Sequence, residues 1–188
     1  MDQDTITKII NAVMSFLGKS GAAEVAKPVQ PVVVAVTVEP LTKEDLLMGR
    51  DKQYPADYTQ EISDNLDKLL IIINKIQQAY GIKFVVDSGW RSPAINANTP
   101  GAAPMSTHMR GLAVDIADHD GAIMRWVLAN LQLMKDLGVF FEDWRWCPTW
   151  THFQIVPPKS GNRVYIPSKD AALAPDRWVG HYDAKYNA

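Results

Sequence analysis

Between Asp57 and Gly81, apolar residues fall at Ile62, Leu66, Leu69, Ile73 and Ile76, a spacing that collects one face of an α-helix. A long helix with a single apolar stripe must lay that stripe on another layer of structure. Asp57 with Gln60 is the expected start signal and Gly81 the stop. The β-branched run Lys83–Asp87 follows at once and leads into a turn at Ser88 and Gly89. Further strands are predicted at Leu112–Ile116, Val139–Phe141 and Thr151–Val156. A short helix is predicted over Leu41–Met48, and a second strong one over about Gly121–Leu137 with Gly138 as its stop. Ile95–Ser106, rich in Asn, Pro, Gly and Ala, is expected to be loop. Pro157–Pro167 reads as a polar turn and a short apolar run, forming a final hairpin or bordering a cleft. Strands separated by helices, with polar residues in the loops, imply an α+β domain: a small antiparallel sheet with helices packed on it.

The chain before Leu41 has a different character. Ile6, Ile9, Ile10, Val13, Phe16 and Leu17 recur at helical spacing, and Gly18 and Gly21 can stop the helix they imply. That stripe has two readings, docking on its own domain or a self-association or assembly contact. Ser20–Pro40, with Pro28, Pro31 and Pro40 around Val32–Val38, reads as a linker ending in an extended arm or edge strand. The expected division is therefore an N-terminal helix and arm over residues 1–40 and one domain over 41–188.

Composition limits the partners. With 188 residues and 47% hydrophobic content the chain can build one core plus an appendage. A formal charge of -2 with interspersed signs leaves no electrostatic footprint for nucleic acid. The single cysteine, Cys147, excludes an intramolecular disulfide framework and reads as a small semi-buried hydrophobe between Trp146 and Pro148. No basic head with an apolar run and cleavage site opens the sequence, so no export signal is expected. Nor is any stretch apolar enough for a membrane span, so a soluble protein is expected.

Three segments carry candidate chemistry: Ser88-Gly-Trp-Arg-Ser-Pro93, Ser106-Thr-His-Met-Arg-Gly-Leu-Ala-Val-Asp115 and Trp150-Thr-His-Phe-Gln154. In the second, a His at a loop end, a Gly for a tight turn and an Asp on the next strand can bring an imidazole and a carboxylate to one point. His152, on another predicted strand, can add a third donor. Two nitrogens and one oxygen, with a fourth position left for water, make the donor set of a catalytic zinc site. Spacing alone is weakly specific, because His and Asp seven residues apart occur often by chance. His119, between Asp118 and Asp120, reads as part of a solvated turn, and His181 lies outside the motifs. Trp126 and Leu133 fall at packing positions of a helix, whereas Trp90, Trp144, Trp146 and Trp150 have two roles open to them, burial or lining a groove.

The pattern Ser106-x-His108-x-x-Gly111-x-Ala113-x-Asp115, followed by Trp150-x-His152, resembles the signature of zinc peptidases. These include D-alanyl-D-alanine carboxypeptidases and dipeptidases and phage L-alanyl-D-glutamate endolysins. The Ser88-Gly-Trp-Arg-Ser-Pro93 segment is similar to that family's Ser-Gly-aromatic-Arg-Ser, and the resemblance spans Lys83 to about Pro167. It implies that His108, Asp115 and His152 bind Zn2+ and that Arg91 lies near the substrate, pairing a carboxylate or polarising the reacting carbonyl. Ser106 and Trp150 are the other expected substrate-side residues, Ser106 also being suited to fixing its loop.

One position departs from the pattern. Many members carry an acid three residues before the last His, where this chain has Thr149, which cannot take a proton from water at neutral pH. The nearest carboxylates are Glu142 and then Asp143, and the expected general base is taken from them in that order. The resemblance implies hydrolysis of an amide bond in bacterial peptidoglycan stem peptides, by a phage enzyme acting in the host cytoplasm before lysis or carried on the virion. The alternative expectation is a catalytically weak or inactive structural subunit of a phage particle, anchored by its N-terminal arm.

Overall fold

The computed structural model describes residues 37–167. The chain divides into two units, Met1–Ala35 and Val36–Ala188, and the described residues all belong to the second. The expected helix over Ile6–Leu17, the linker as far as residue 36 and His181 lie outside the described residues.

The helices are α1 (Lys43–Leu47), α2 (Arg50–Gln53), α3 (Gln60–Tyr80), α4 (Pro93–Asn98), α5 (Ala122–Ala129) and α6 (Leu131–Asp136). A 3-10 turn covers Thr107–Arg110. The strands are β1 (Val86–Ser88), β2 (Ala113–Ala117), β3 (Phe140–Glu142), β4 (Trp150–Gln154) and β5 (Val164–Tyr165). They form one sheet in the order β1-β2-β4-β3-β5, an α+β arrangement as expected. All neighbours are antiparallel except β3 and β5, which run parallel. Of the two readings of Pro157–Pro167, the hairpin does not form among the described residues, and the sheet is mixed, because β5 passes β4 and joins the far edge of β3.

Helix α3 supplies the layer its sequence demanded. Leu66, Leu69, Ile73 and Ile76 are fully buried against Val114 and Ile116 of β2, Phe141 of β3 and Phe153 of β4 within one hydrophobic core. Each such side chain contributes about 1.5–3 kcal/mol on burial. Thr59, not Asp57, caps the helix by accepting from the Ile62 N–H at 3.3 Å, while the Asp57 N–H closes a turn on Tyr54. Gly81 ends it in the left-handed region, φ 86°. Buried Gln77 in the last turn then donates to the Glu39 carbonyl and accepts from the Phe84 N–H, tying the chain on both sides of the helix to it.

Two further expectations are corrected. The stretch Ile95–Ser106 foreseen as loop begins inside helix α4, because Ser92 accepts from the Ile95 N–H and Pro93 occupies the first helical position. The single helix foreseen over Gly121–Leu137 is two, broken at Asn130 (φ -121°, ψ 37°). The Asn130 amide donates to the Trp126 carbonyl at 2.8 Å, a local bond that competes with helix continuation.

At the end of β1, Gly89 lies so close to α1 that a Cβ there would stand 1.9 Å from the Leu46 carbonyl oxygen. This contact lets the Trp90 N–H reach the same oxygen at 2.8 Å and sends the Trp90 ring wholly into the core, edge-on to Tyr58. Gly89→Ala is expected to cost about 3 kcal/mol or more in denaturant unfolding, since backbone must move to admit the methyl group. Gly138→Ala, at φ 69° with open space around it, is expected to cost only about 1–2 kcal/mol. Equal losses in the two variants would refute the close-approach argument.

Candidate metal centre

Side chains alternate across a strand, so each strand gives one set to the core and the other to the opposite face. Val114, Ile116, Phe141, Phe153 and Val164 take the core side. Asp115 therefore takes the other side, and the register sets it between Ser88 on β1 and His152 on β4. Phe140 and Phe141 oppose Gln154 and Phe153, which brings Glu142 to the level of His152, and Glu142 in turn pairs with Tyr165 of β5. One row of the sheet thus reads Ser88, Asp115, His152, Glu142, Tyr165.

His108 enters this row from the 3-10 turn. Ser106 caps the turn by accepting from the His108 N–H at 3.4 Å, and Gly111 closes it at φ 69°. A Cβ on Gly111 would meet the Ile62 carbonyl oxygen at 2.8 Å, so the turn can rest on α3 only with glycine there. The His108 ring is 1% exposed, and its Nδ1–H donates to the Gly89 carbonyl at 2.8 Å. A carbonyl can only accept, so neutral His108 keeps its proton on Nδ1 and turns the Nε2 lone pair inward.

His108, Asp115 and His152 form a buried group able to hold a metal ion, each offering a donor atom within 4.8 Å of the others. His108 Nε2 lies 3.3 Å from His152 Nδ1 and 3.3 Å from Asp115 Oδ1, and His152 Nδ1 lies 2.7 Å from Asp115 Oδ1. Ligands about 2.0–2.1 Å from a tetrahedral zinc stand roughly 3.3 Å apart, so two of these edges already have the right length. The third has the length of a hydrogen bond. The residues fit the ion in donor type and spacing.

Burial and the neighbouring charges shift each of these groups. Burial lowers the His108 pKa and keeps that ring neutral. Burial also works against a charged His152, but the Glu142 charge and the bond to Asp115 outweigh it and raise its pKa to about 9. Burial likewise disfavours the Asp115 carboxylate, yet the two histidines hold its pKa far below the usual range. Glu142 moves the other way, raised by burial with His152 opposing.

Arg91 is 7% exposed, with Nη2 3.6 Å from Asp115 Oδ2 and with no hydrogen-bond partner for Nε. Arg50, which the sequence did not bring forward, donates to the Trp90 carbonyl at 2.7 Å and stands close enough to repel Arg91. Of the two carboxylates considered as base, only Glu142 joins the row. Asp143 is fully buried and held by Arg145, through Nε at 2.9 Å and Nη2 at 2.6 Å. Thr149 is exposed. Ser106 acts as a cap, and Trp150 is half-buried on the same face of β4 as His152.

The remaining candidates separate cleanly. His119 is exposed in its turn, but neighbouring Asp118 is buried. Its carboxylate accepts from the Ile123 and Met124 N–H groups and from the Thr151 hydroxyl, which pins the start of α5 to β4. Trp126 and Leu133 pack against the core, Trp90 is buried, and Trp144 and Trp146 are exposed. Cys147 is buried, and burial pushes its thiol pKa up, away from nucleophile or ligand. Sequence reasoning missed Gln154 and Tyr165 as parts of the site, although Gln154 ends the third motif. Its side chain meets the outer nitrogen of His152 at 3.3 Å.

Residues 41–140 match the family model described as Peptidase M15. The chain belongs to the M15 peptidase family. No curated protein matches the chain. The matched span contains His108, Asp115 and Arg91 and ends before His152, which the register of β4 sets beside Asp115. M15 peptidases are zinc enzymes. Among the described residues no helix is long and apolar enough to cross a membrane.

Metal content after dialysis checks the donor set. His108→Ala and His152→Ala are each expected to lose most bound zinc, and His119→Ala to keep it. Undiminished zinc in both of the first two variants would remove the assignment.

Proposed function

We propose that this M15 peptidase hydrolyses an amide bond in the stem peptides of bacterial peptidoglycan, with Zn2+ held by His108, Asp115 and His152. The observation that carries the reading is the convergence of this donor set with Glu142 on the adjacent strand of one sheet. The phage endolysins that the motifs resemble supply the biological setting we favour, an enzyme released at lysis or borne on the virion.

Zinc in such a site lowers the pKa of a water and polarises a carbonyl. The chain's own residues divide the rest of the work. Glu142 takes the proton of the attacking water and returns it to the departing amine, and its raised pKa suits a group that must do both. Arg91, buried and with Nε unpaired, offers donors to the carbonyl oxygen as negative charge grows there. Asp115 carries the negative charge that keeps the neighbouring guanidinium in place. Trp150, half-buried beside His152, is suited to shielding the reacting bond from bulk water.

A digest of purified peptidoglycan by zinc-loaded protein, read by mass spectrometry, is expected to show new peptide ends. Glu142→Gln should keep its zinc and lose about 10²–10⁴ in kcat, whereas Asp143→Asn should lose stability more than kcat. Wild-type turnover by Glu142→Gln would exclude Glu142 as base. No cleavage by the zinc-loaded wild type would turn the reading toward a structural subunit.

A further inference from the structure

Gln154 sits two residues beyond His152 on β4, is 4% exposed and uses both ends of its amide. Its Nε2 donates to the Val156 carbonyl at 2.7 Å. Because that carbonyl can only accept, the amide has one sensible orientation, with Oε1 turned toward the site. Three groups meet this oxygen: the Tyr165 hydroxyl at 2.8 Å, the Thr107 hydroxyl at 3.3 Å and His152 Nε2 at 3.3 Å. The opposite orientation would set oxygen against oxygen at Val156 and an N–H₂ against the imidazole.

We infer that Gln154 is a positioning residue that holds the His152 proton on Nε2 and so presents Nδ1 to the metal. An amide oxygen 3.3 Å from Nε2 attracts that nitrogen only if it carries hydrogen, because a lone pair there would be repelled. In the neutral ring the lone pair then falls on Nδ1, the atom that faces His108 Nε2 and Asp115 Oδ1. Gln154 thus does for His152 what the Gly89 carbonyl does for His108. Tyr165 and Thr107 keep the amide from turning, one from β5 and the other from the turn that carries His108. An outer partner of this kind fixes both the tautomer and the ring plane of a metal-binding histidine.

The inference rests on the proposed zinc site, and the test separates the two. Zinc affinity is measured by competition with a chelator for wild type, Gln154→Leu and Gln154→Glu, alongside thermal unfolding of the metal-free proteins. Loss of a second partner of a metal-binding His commonly lowers affinity about 10–100-fold, the fall expected for Gln154→Leu. Gln154→Glu keeps an acceptor in place and is expected to recover most of the affinity even if its Tm falls as far as that of the Leu variant. Wild-type affinity in Gln154→Leu, or no recovery in Gln154→Glu, would overturn the role of Gln154 while leaving the zinc site intact. A wild type with no tight zinc binding would sink site and inference together.

The tautomer is read independently in zinc-loaded wild type by ¹⁵N NMR of the histidine rings. The expected His152 signature is a protonated Nε2 and a metal-bound Nδ1. The reverse assignment would overturn the inference even if the Leu variant failed to fold.

Discussion

Asp115 and His152 face each other across β2 and β4, within a run of five paired positions from Ala113 with Gln154 to Ala117 with Trp150. Everything chemical in the molecule depends on that register. A slip of one residue would turn Asp115 into the core and bring Val114 or Ile116 to the site, so the apolar residues fix the polar ones. The core beneath, where Val114, Ile116 and Phe153 meet α3, is what penalises a slip. Packing energy on one face is thereby converted into donor geometry on the other.

His108 is not on the sheet, so its position must be secured differently. The Ser88–Ser92 segment and the 3-10 turn hold each other by several bonds. The Gly89 carbonyl accepts from the His108 ring N–H, the Arg91 N–H donates to the His108 carbonyl, and the Trp90 indole N–H donates to the Met109 carbonyl. Both segments lean on helices through glycine, Gly89 on α1 and Gly111 on α3, at distances that exclude a Cβ. The glycines of two motifs thus set how far the first histidine stands from the second. Such support keeps a site within the few tenths of an ångström that metal coordination and catalysis require.

The long amphipathic helix, the strands near their foreseen places and the meeting of His108, Asp115 and His152 were legible because each left a pattern: a period, a β-branched run or a resemblance with fixed spacing. Asn130 and the Ser92-Pro93 pair show where reading by period gives out. One breaks a helix and the other starts one through a single local hydrogen bond that hydrophobic spacing does not register. Arg50 and Tyr165 were invisible for another reason. They lie far along the chain from the residues they serve, and only the packing of α2 and the parallel return of β5 bring them in. Asp118 stands beside His119, which read as part of a solvated turn, yet it is the buried cap joining α5 to β4.

Thr149 in place of an acid three residues before the last histidine gains a physical meaning from the sheet. A residue at that position lies just before β4, where its conformation depends on the loop from Trp144 to Pro148. Glu142 belongs to a strand, beside His152 and opposite Tyr165, and its neighbour Phe141 is locked into the core. In the proposed function the carboxylate thus acts from a sheet position instead of a loop position, with the backbone fixed by pairing on both sides. The same pairing brings Tyr165 to Gln154 and so joins the strand of Glu142 to the strand that carries His152. A short parallel β5, which buries little by itself, is thus the element through which the carboxylate and the outer partner of His152 are held in common.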